Sequence, residues 1–288
     1  MRKVVIIVTV ILVIVGILVV VFNTLLRKRM FRPAPLSSDY AISDMRQVNL
    51  ESGAVFLMTN KGNKSTLVFL HGQIGNIMLY EFLVKICAEI GFDLILFDYP
   101  GFGLSRTDAS YEAFVDSIYE LREYVSDNIH SDVYVWGESL GGYAGTLFCE
   151  DNEQVEGLLL MSTFSHLGGV FGLHGKYCPD IIDMVAFTNL NNLEKLENID
   201  CPVQIVHSVD DQFIDFHCAT QMQSHCKYPQ AIIETSGEHA RPILSHQNML
   251  DILYFLRVDS AYEKTTICLE YVKEGVDDAE EYRREVGI

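Results

Sequence analysis

The segment Gly137-Glu138-Ser139-Leu140-Gly141 sets a lone serine between two glycines, directly after the apolar run "DVYVW" and directly before a helix-like stretch. Glycines two positions either side of Ser139 remove the side chains that would collide in a sharp strand-to-helix turn, and the serine at its apex must accept a strained backbone. A serine hydroxyl is a weak nucleophile at neutral pH, so it needs a base, and the base needs an orienting acid. In the order serine, acid, histidine, "IVHSVDDQFID" places Asp210 and Asp211 after an apolar run, and "ETSGEHARP" places His239 after the last such run. Asp211 lies 72 residues beyond Ser139 and His239 a further 28. The other histidines up to His225 precede the position expected for the base; the rival, His246, falls in a helix-like stretch. Acyl transfer also requires backbone N–H donors for the oxyanion. The residue after the serine, Leu140, supplies one, and "FLHGQIGN" offers Gln73 as the other, with Gly72 bringing the backbone close.

Short apolar runs ended by turn residues must position these groups: "AVFLMT", "STLVFLHG", "DLILFDYP", "DVYVWGES", "EGLLLMSTF", "CPVQIVHS" and "QAIIETSG". They read as buried strands, the first two as a pair joined by the turn "NKGNK". Helix-like stretches lie between them at 76–90, 110–129, 140–150, 216–226 and 243–258. Alternating strands and helices predict an α/β fold with a doubly wound, mostly parallel sheet and a site at the carboxyl ends of its strands. Residues 165–198 break the alternation and are long enough for a small cap, whose apolar residues, among them Leu167 and Val170, suit an acyl groove or packing onto the sheet.

With 288 residues, 49% of them apolar, the chain can bury a substantial core. Its 21 basic and 39 acidic residues leave a formal charge of −18, which argues against a nucleic-acid surface. Seven widely spaced cysteines without CxxC pairs fit neither a zinc site nor a disulfide framework. From Val4 to Phe22 the chain carries no charge, and as a helix that stretch spans about 28 Å, close to the roughly 30 Å hydrocarbon core of a bilayer. Residues 1–30 therefore read as a transmembrane anchor with a basic flank, and 31–47 as a linker. Basic residues stand on both sides of the span, with a slight excess after it at Arg27, Lys28, Arg29 and Arg32, which favours a cytoplasmic catalytic domain.

Taken together, "HGQIGN", "FDYPGFGLS", "GESLGG", "VHSVDDQFID" and "SGEH" resemble, in order and spacing, the signature segments of the α/β-hydrolase superfamily, especially its membrane-anchored Bem46-like and α/β-hydrolase domain-containing branch. The resemblance covers roughly 48–258. It implies nucleophile Ser139, acid Asp211 in preference to Asp210, base His239, oxyanion donors Gln73 and Leu140, and a folding role for Asp98. His207-Ser208 stands where relatives usually have His-Gly, and Asp215 where many have proline. The acidic tail 259–288 lies outside the resemblance and reads as a helix. The implied activity is hydrolysis of a carboxylic ester or thioester of an acyl substrate, a lipid or a lipidated protein, without metal or organic cofactor. An acyltransferase on the same triad and a non-catalytic binding protein on the same fold are the alternatives.

Overall fold

The computed structural model describes residues 2–36, 40–105, 107–170, 186, 188–239 and 243–286. An eight-stranded sheet has the order β10-β9-β8-β7-β4-β6-β3-β2, with β2 (Arg46–Asn49), β3 (Val55–Met58), β4 (Ser65–Leu70), β6 (Phe92–Asp98), β7 (Asp132–Glu138), β8 (Val155–Met161), β9 (Val203–Ser208) and β10 (Ile233–Thr235). The ladders from β10 to β6 are parallel, and β3 and β2 run antiparallel to their inner neighbours. A further two-stranded parallel ladder joins β1 (Arg32–Pro33) to β5 (Ile74–Gly75). All seven residues of β6 are buried, as expected for a parallel strand covered on both faces. Successive side chains feed opposite layers: Val68, Leu70, Ile95 and Phe97 one way, Leu67, Phe69, Leu94 and Leu96 the other.

The first layer is closed by α3 (Tyr111–Asn128), α4 (Leu140–Cys149) and α7 (His217–His225), and the second by α2 (Phe82–Ile90), α8 (His246–Phe255) and α9 (Ala261–Val286). Shorter helices α5 (Leu167–Val170) and α6 (Asn192–Leu196) follow β8. From β4 the chain goes outward to β6, whereas from β7 it goes to β8 on the other side, so the sheet order reverses between β4 and β7. The crevice at that switch point, beyond the carboxyl ends of the two strands, is where open α/β sheets bind ligands. Ser139 follows β7, and His71 to Gln73 follow β4.

Three expectations meet a different arrangement. The runs joined by "NKGNK" are not a hairpin, because β6 lies between β3 and β4. The turn instead wraps over the start of β6, where the Asp93 carboxylate accepts hydrogen bonds from the N–H groups of Lys61, Gly62 and Asn63 at 2.8, 3.1 and 2.9 Å. Residues 31–47 are not a free linker: Phe31, Ala34, Leu36 and Ile42 are buried, β1 pairs with β5, and β2 begins at Arg46. The acidic tail is helical as expected, yet α9 packs on α2 and buries Ala261 and Cys268, because its spaced apolar residues complete the second layer. Of the cap residues, 171–185 and 187 lie outside those described.

α1 (Arg2–Met30) opens the chain. It is solvent-exposed over most of its length up to Val21, while Asn23, Leu26 and Met30 are buried, the last two in the first layer. Residues 2–26 form a helix long and apolar enough to cross a membrane.

α4 lies very close to the sheet. A Cβ at Gly141 would fall 1.8 Å from the carbonyl oxygen of Leu70, and one at Gly137 2.2 Å from the carbonyl oxygen of Gly141. Both obstacles are backbone, one at the end of β4 and the other in the first turn of α4, and cannot yield as a side chain can. Gly141→Ala is therefore expected to lower unfolding stability by about 3 kcal/mol or more, read from urea denaturation; a loss below about 1 kcal/mol would show that the backbone relaxes there.

Candidate active site

The turn between β7 and α4 holds Ser139 at φ 53° and ψ −114°, a left-handed conformation that costs a non-glycine residue on the order of 1–3 kcal/mol. Surrounding bonds hold it. The Ser139 N–H donates to the Met161 carbonyl at 3.0 Å, and the Ser139 carbonyl accepts from the Thr163 hydroxyl at 2.6 Å. Ser139 makes no side-chain cap to its own helix. Its hydroxyl lies 3.0 Å from His239 Nε2, and His239 Nδ1 lies 2.7 Å from Asp211 Oδ2. Three residues drawn from three strand ends thus form one hydrogen-bonded chain.

The acid loop explains why Asp211 and not Asp210 faces the imidazole. Asp211 Oδ1 accepts the N–H groups of Phe213 and Ile214 at 2.8 and 2.9 Å, which turns Oδ2 toward His239. Asp210 is exposed and accepts a long bond from the Gly237 N–H at 3.4 Å. Asp215 accepts the His217 N–H at 2.7 Å, at the start of α7. Burial raises the Asp211 carboxyl, but the hydrogen bond and charge of His239 and the two backbone donors outweigh it, so its pKa is lowered overall. His207 fills the space behind the loop. Its Nε2–H donates to the Ile214 carbonyl at 2.9 Å and stands 3.6 Å from Asp211 Oδ2. Burial lowers its pKa and keeps the ring neutral.

Gln73 and Leu140 line the same pocket as Ser139. Leu140 is the first residue of α4, so its N–H has no partner within that helix. Gly72 approaches so closely that a Cβ there would lie 3.4 Å from Ser139 Cβ. The loop carrying Gln73 is pinned from below. The Tyr99 hydroxyl donates to the His71 carbonyl at 2.8 Å, and buried Asp98 accepts the N–H groups of Ile77 and Leu104 at 3.0 and 3.2 Å.

Two neighbours escaped the sequence reading. Glu138 is a buried carboxylate, raised by burial and partly held back by the Tyr80 hydroxyl, which donates to it at 2.8 Å. Its signal was an acid closing the run "VYVWG" at the end of β7. Phe213, partly exposed, stacks on the His239 ring with centroids 5.3 Å apart; no local pattern marked it.

The pocket over Ser139 is a narrow cavity of about 40 Å³, lined otherwise by apolar side chains, among them Phe164, Leu167, Val170, Leu190 and Ile214. Leu167 and Val170, which the sequence left open between a groove and packing onto the sheet, are among its lining residues. A larger cleft of about 610 Å³ lies at the opposite, amino ends of the strands and holds Asn60, Asn63, Asp93 and His130 but no part of the hydrogen-bonded chain. Among the described residues no group of three or more His, Cys, Asp or Glu side chains could hold a metal ion.

A family model described as serine aminopeptidase, S33, matches residues 61–174, which include Ser139. The esterase Pf2001 of Pyrococcus furiosus superposes with a TM-score of 0.56 at 15% identity, over 84% of this chain and 98% of the esterase. The chain has the α/β-hydrolase fold. Among curated proteins the chain is 26% identical over 182 residues to the lysophosphatidylserine lipase ABHD12 of Mus musculus, covering 56% of this chain and 45% of the lipase. It is also 22% identical over 184 residues to the α/β-hydrolase domain-containing protein 17C of Xenopus laevis, covering 62% of this chain and 56% of that protein. The match thus spans about half the length of these curated relatives.

The His207 environment has a consequence for stability. A histidine whose folded pKa is lowered binds fewer protons in the folded than in the unfolded state, so its contribution is complete above about pH 6.5 and is lost as pH falls below it. The thermal midpoint is expected to drop between pH 7 and pH 5, and His207→Gln, which cannot titrate, to flatten that slope. An equal slope in the variant would assign the loss to another group.

Proposed function

We propose that this protein is a membrane-anchored serine hydrolase that cleaves carboxylic esters or thioesters of acyl substrates. The observation that carries the reading is the chain from Ser139 through His239 to Asp211, with distances of 3.0 and 2.7 Å, opening onto an apolar pocket. In this mechanism His239 Nε2 takes the Ser139 proton as the oxygen attacks the carbonyl carbon. Asp211 keeps the Nδ1–H of His239 pointed inward and stabilises the imidazolium. The Gln73 and Leu140 N–H groups bind the oxyanion. The protonated imidazole then gives its proton to the leaving alcohol or thiol. Water, deprotonated by His239, finally cleaves the acyl-enzyme to release the carboxylic acid and free Ser139. No cofactor enters the cycle.

The pocket lining favours an acyl chain over a polar group, and the name of the lysophosphatidylserine lipase relative supports a lipid ester as substrate. The apolar helix is the anchor in this reading, and the basic excess that follows it favours a cytoplasmic catalytic domain. Residues 165–198 act as the cap.

A fluorophosphonate probe is expected to label the wild type at Ser139, with labelling abolished in Ser139→Ala; labelling that persists in the variant would remove Ser139 as nucleophile. On an activated ester, Asp211→Asn should reduce kcat by about 10⁴ through the wrong histidine tautomer, while Asp210→Asn stays within about threefold, and the reverse ranking would move the acid by one residue. Turnover of esters, thioesters and amino-acid amides, with products resolved in the presence of an added alcohol, separates hydrolase from transferase and from peptidase.

A further inference from the structure

The apolar helix does more than end near the catalytic domain. Leu26 and Met30, in its last turns, are 5% and 6% exposed and line the same narrow cavity as Ser139, Gln73 and Leu140. Phe31 continues the contact, its ring 6.3 Å from Phe102 and 5.8 Å from Phe114. Beyond the helix the chain is tied to the oxyanion loop. The Arg32 N–H donates to the Gln73 carbonyl at 2.9 Å, the Ala34 N–H to the Gly75 carbonyl at 3.2 Å, and the Asn76 amide back to the Ala34 carbonyl at 2.8 Å. The helix end is therefore fixed relative to the carbonyl-binding loop by backbone bonds, and its side chains stand at a fixed place beside the serine.

We propose that the last turns of the apolar helix form one wall of the acyl site, with Leu26 and Met30 as specificity-determining residues that set the acyl-chain length accepted. The inference rests on the serine-hydrolase reading of the same site. The cavity is narrow, about 40 Å³, and walled mostly by apolar side chains. The volume of the lining side chains therefore decides how many methylenes fit beyond the carbonyl. The location also matches a membrane-borne substrate. From Val21, near the end of the exposed stretch, Leu26 is five residues on and Met30 nine, or about 7.5 and 13.5 Å along the helix axis. An acyl chain leaving the bilayer beside this helix meets the site within one to three helical turns, past Leu26 and on to Met30. A helix end that served only to pack the anchor onto the domain would influence stability and leave chain-length preference alone.

The experiment uses full-length protein in nanodiscs and one leaving group, p-nitrophenol, on acetyl, butyryl, octanoyl and dodecanoyl esters. Leu26→Trp and Met30→Trp are expected to lower the octanoyl-to-acetyl ratio of kcat/KM by about tenfold each, the scale of one or two misplaced methylenes. Leu26→Ala and Met30→Ala should shift the preferred length toward longer chains. Opposite shifts from filling and emptying substitutions cannot come from partial unfolding, which would lower all four rates together, and the alanine variants decide the matter if the tryptophan variants fail to fold. Ratios within about twofold of the wild type in the folded variants, with Ser139 still labelled by fluorophosphonate, overturn the wall and leave the hydrolase reading standing. Failure to label the wild type overturns both.

Discussion

The close approach of α4 to the centre of the sheet is the constraint from which the site follows. Gly137 and Gly141 let the backbone after β7 turn back onto Leu70 at distances no side chain permits. Ser139, between them, is held at positive φ by the Met161 carbonyl and the Thr163 hydroxyl. Because β4 and β7 are neighbours at the point where the strand order reverses, the loop after β4 comes up against the same serine, with Gly72 Cα beside its Cβ. Strain at one residue is thus supported by six parallel strands, which can bear it because the central ones pack on both faces.

The electrostatics are arranged in layers around that point. Asp211 is kept ionised by two backbone donors and a histidine despite its burial, while the neighbouring His207 is kept neutral by burial and used as a hydrogen-bond donor to the same loop. The chain has serine at 208 where relatives usually have glycine, and the loop accommodates it: the Ser208 hydroxyl donates to the Gly237 carbonyl two residues before His239. Beneath the serine, Glu138 is shielded from water and held by Tyr80.

Peripheral segments are built into this centre. β1 hydrogen-bonds the loop of Gln73, and the Asn76 amide of the same loop also donates to Tyr282 of α9 at 3.0 Å. The segment that follows the apolar helix and the last helix therefore meet at the loop that carries Gln73. The end of the apolar helix, the Gln73 loop and the last helix form one packed unit.

Local composition determined the elements whose signals are short in range: the apolar span, the fully apolar central strands, the helices between them, and the glycine-flanked turn at Ser139. These follow from periodicity and from steric demands that a few adjacent residues impose. The serine, acid, histidine order narrowed the candidates, yet the choice of Asp211 over Asp210 came from family resemblance, and the backbone donors of Phe213 and Ile214 that orient it belong to the folded loop. Tertiary structure alone decided the pairings: β6 between β3 and β4, the "linker" as β1 and β2, the acidic helix on α2, Phe213 against His239, and Leu26 with Met30 at the pocket. Each of these depends on contacts between residues far apart in the chain, and a strand's or helix's own sequence specifies which face is apolar but not which partner covers it.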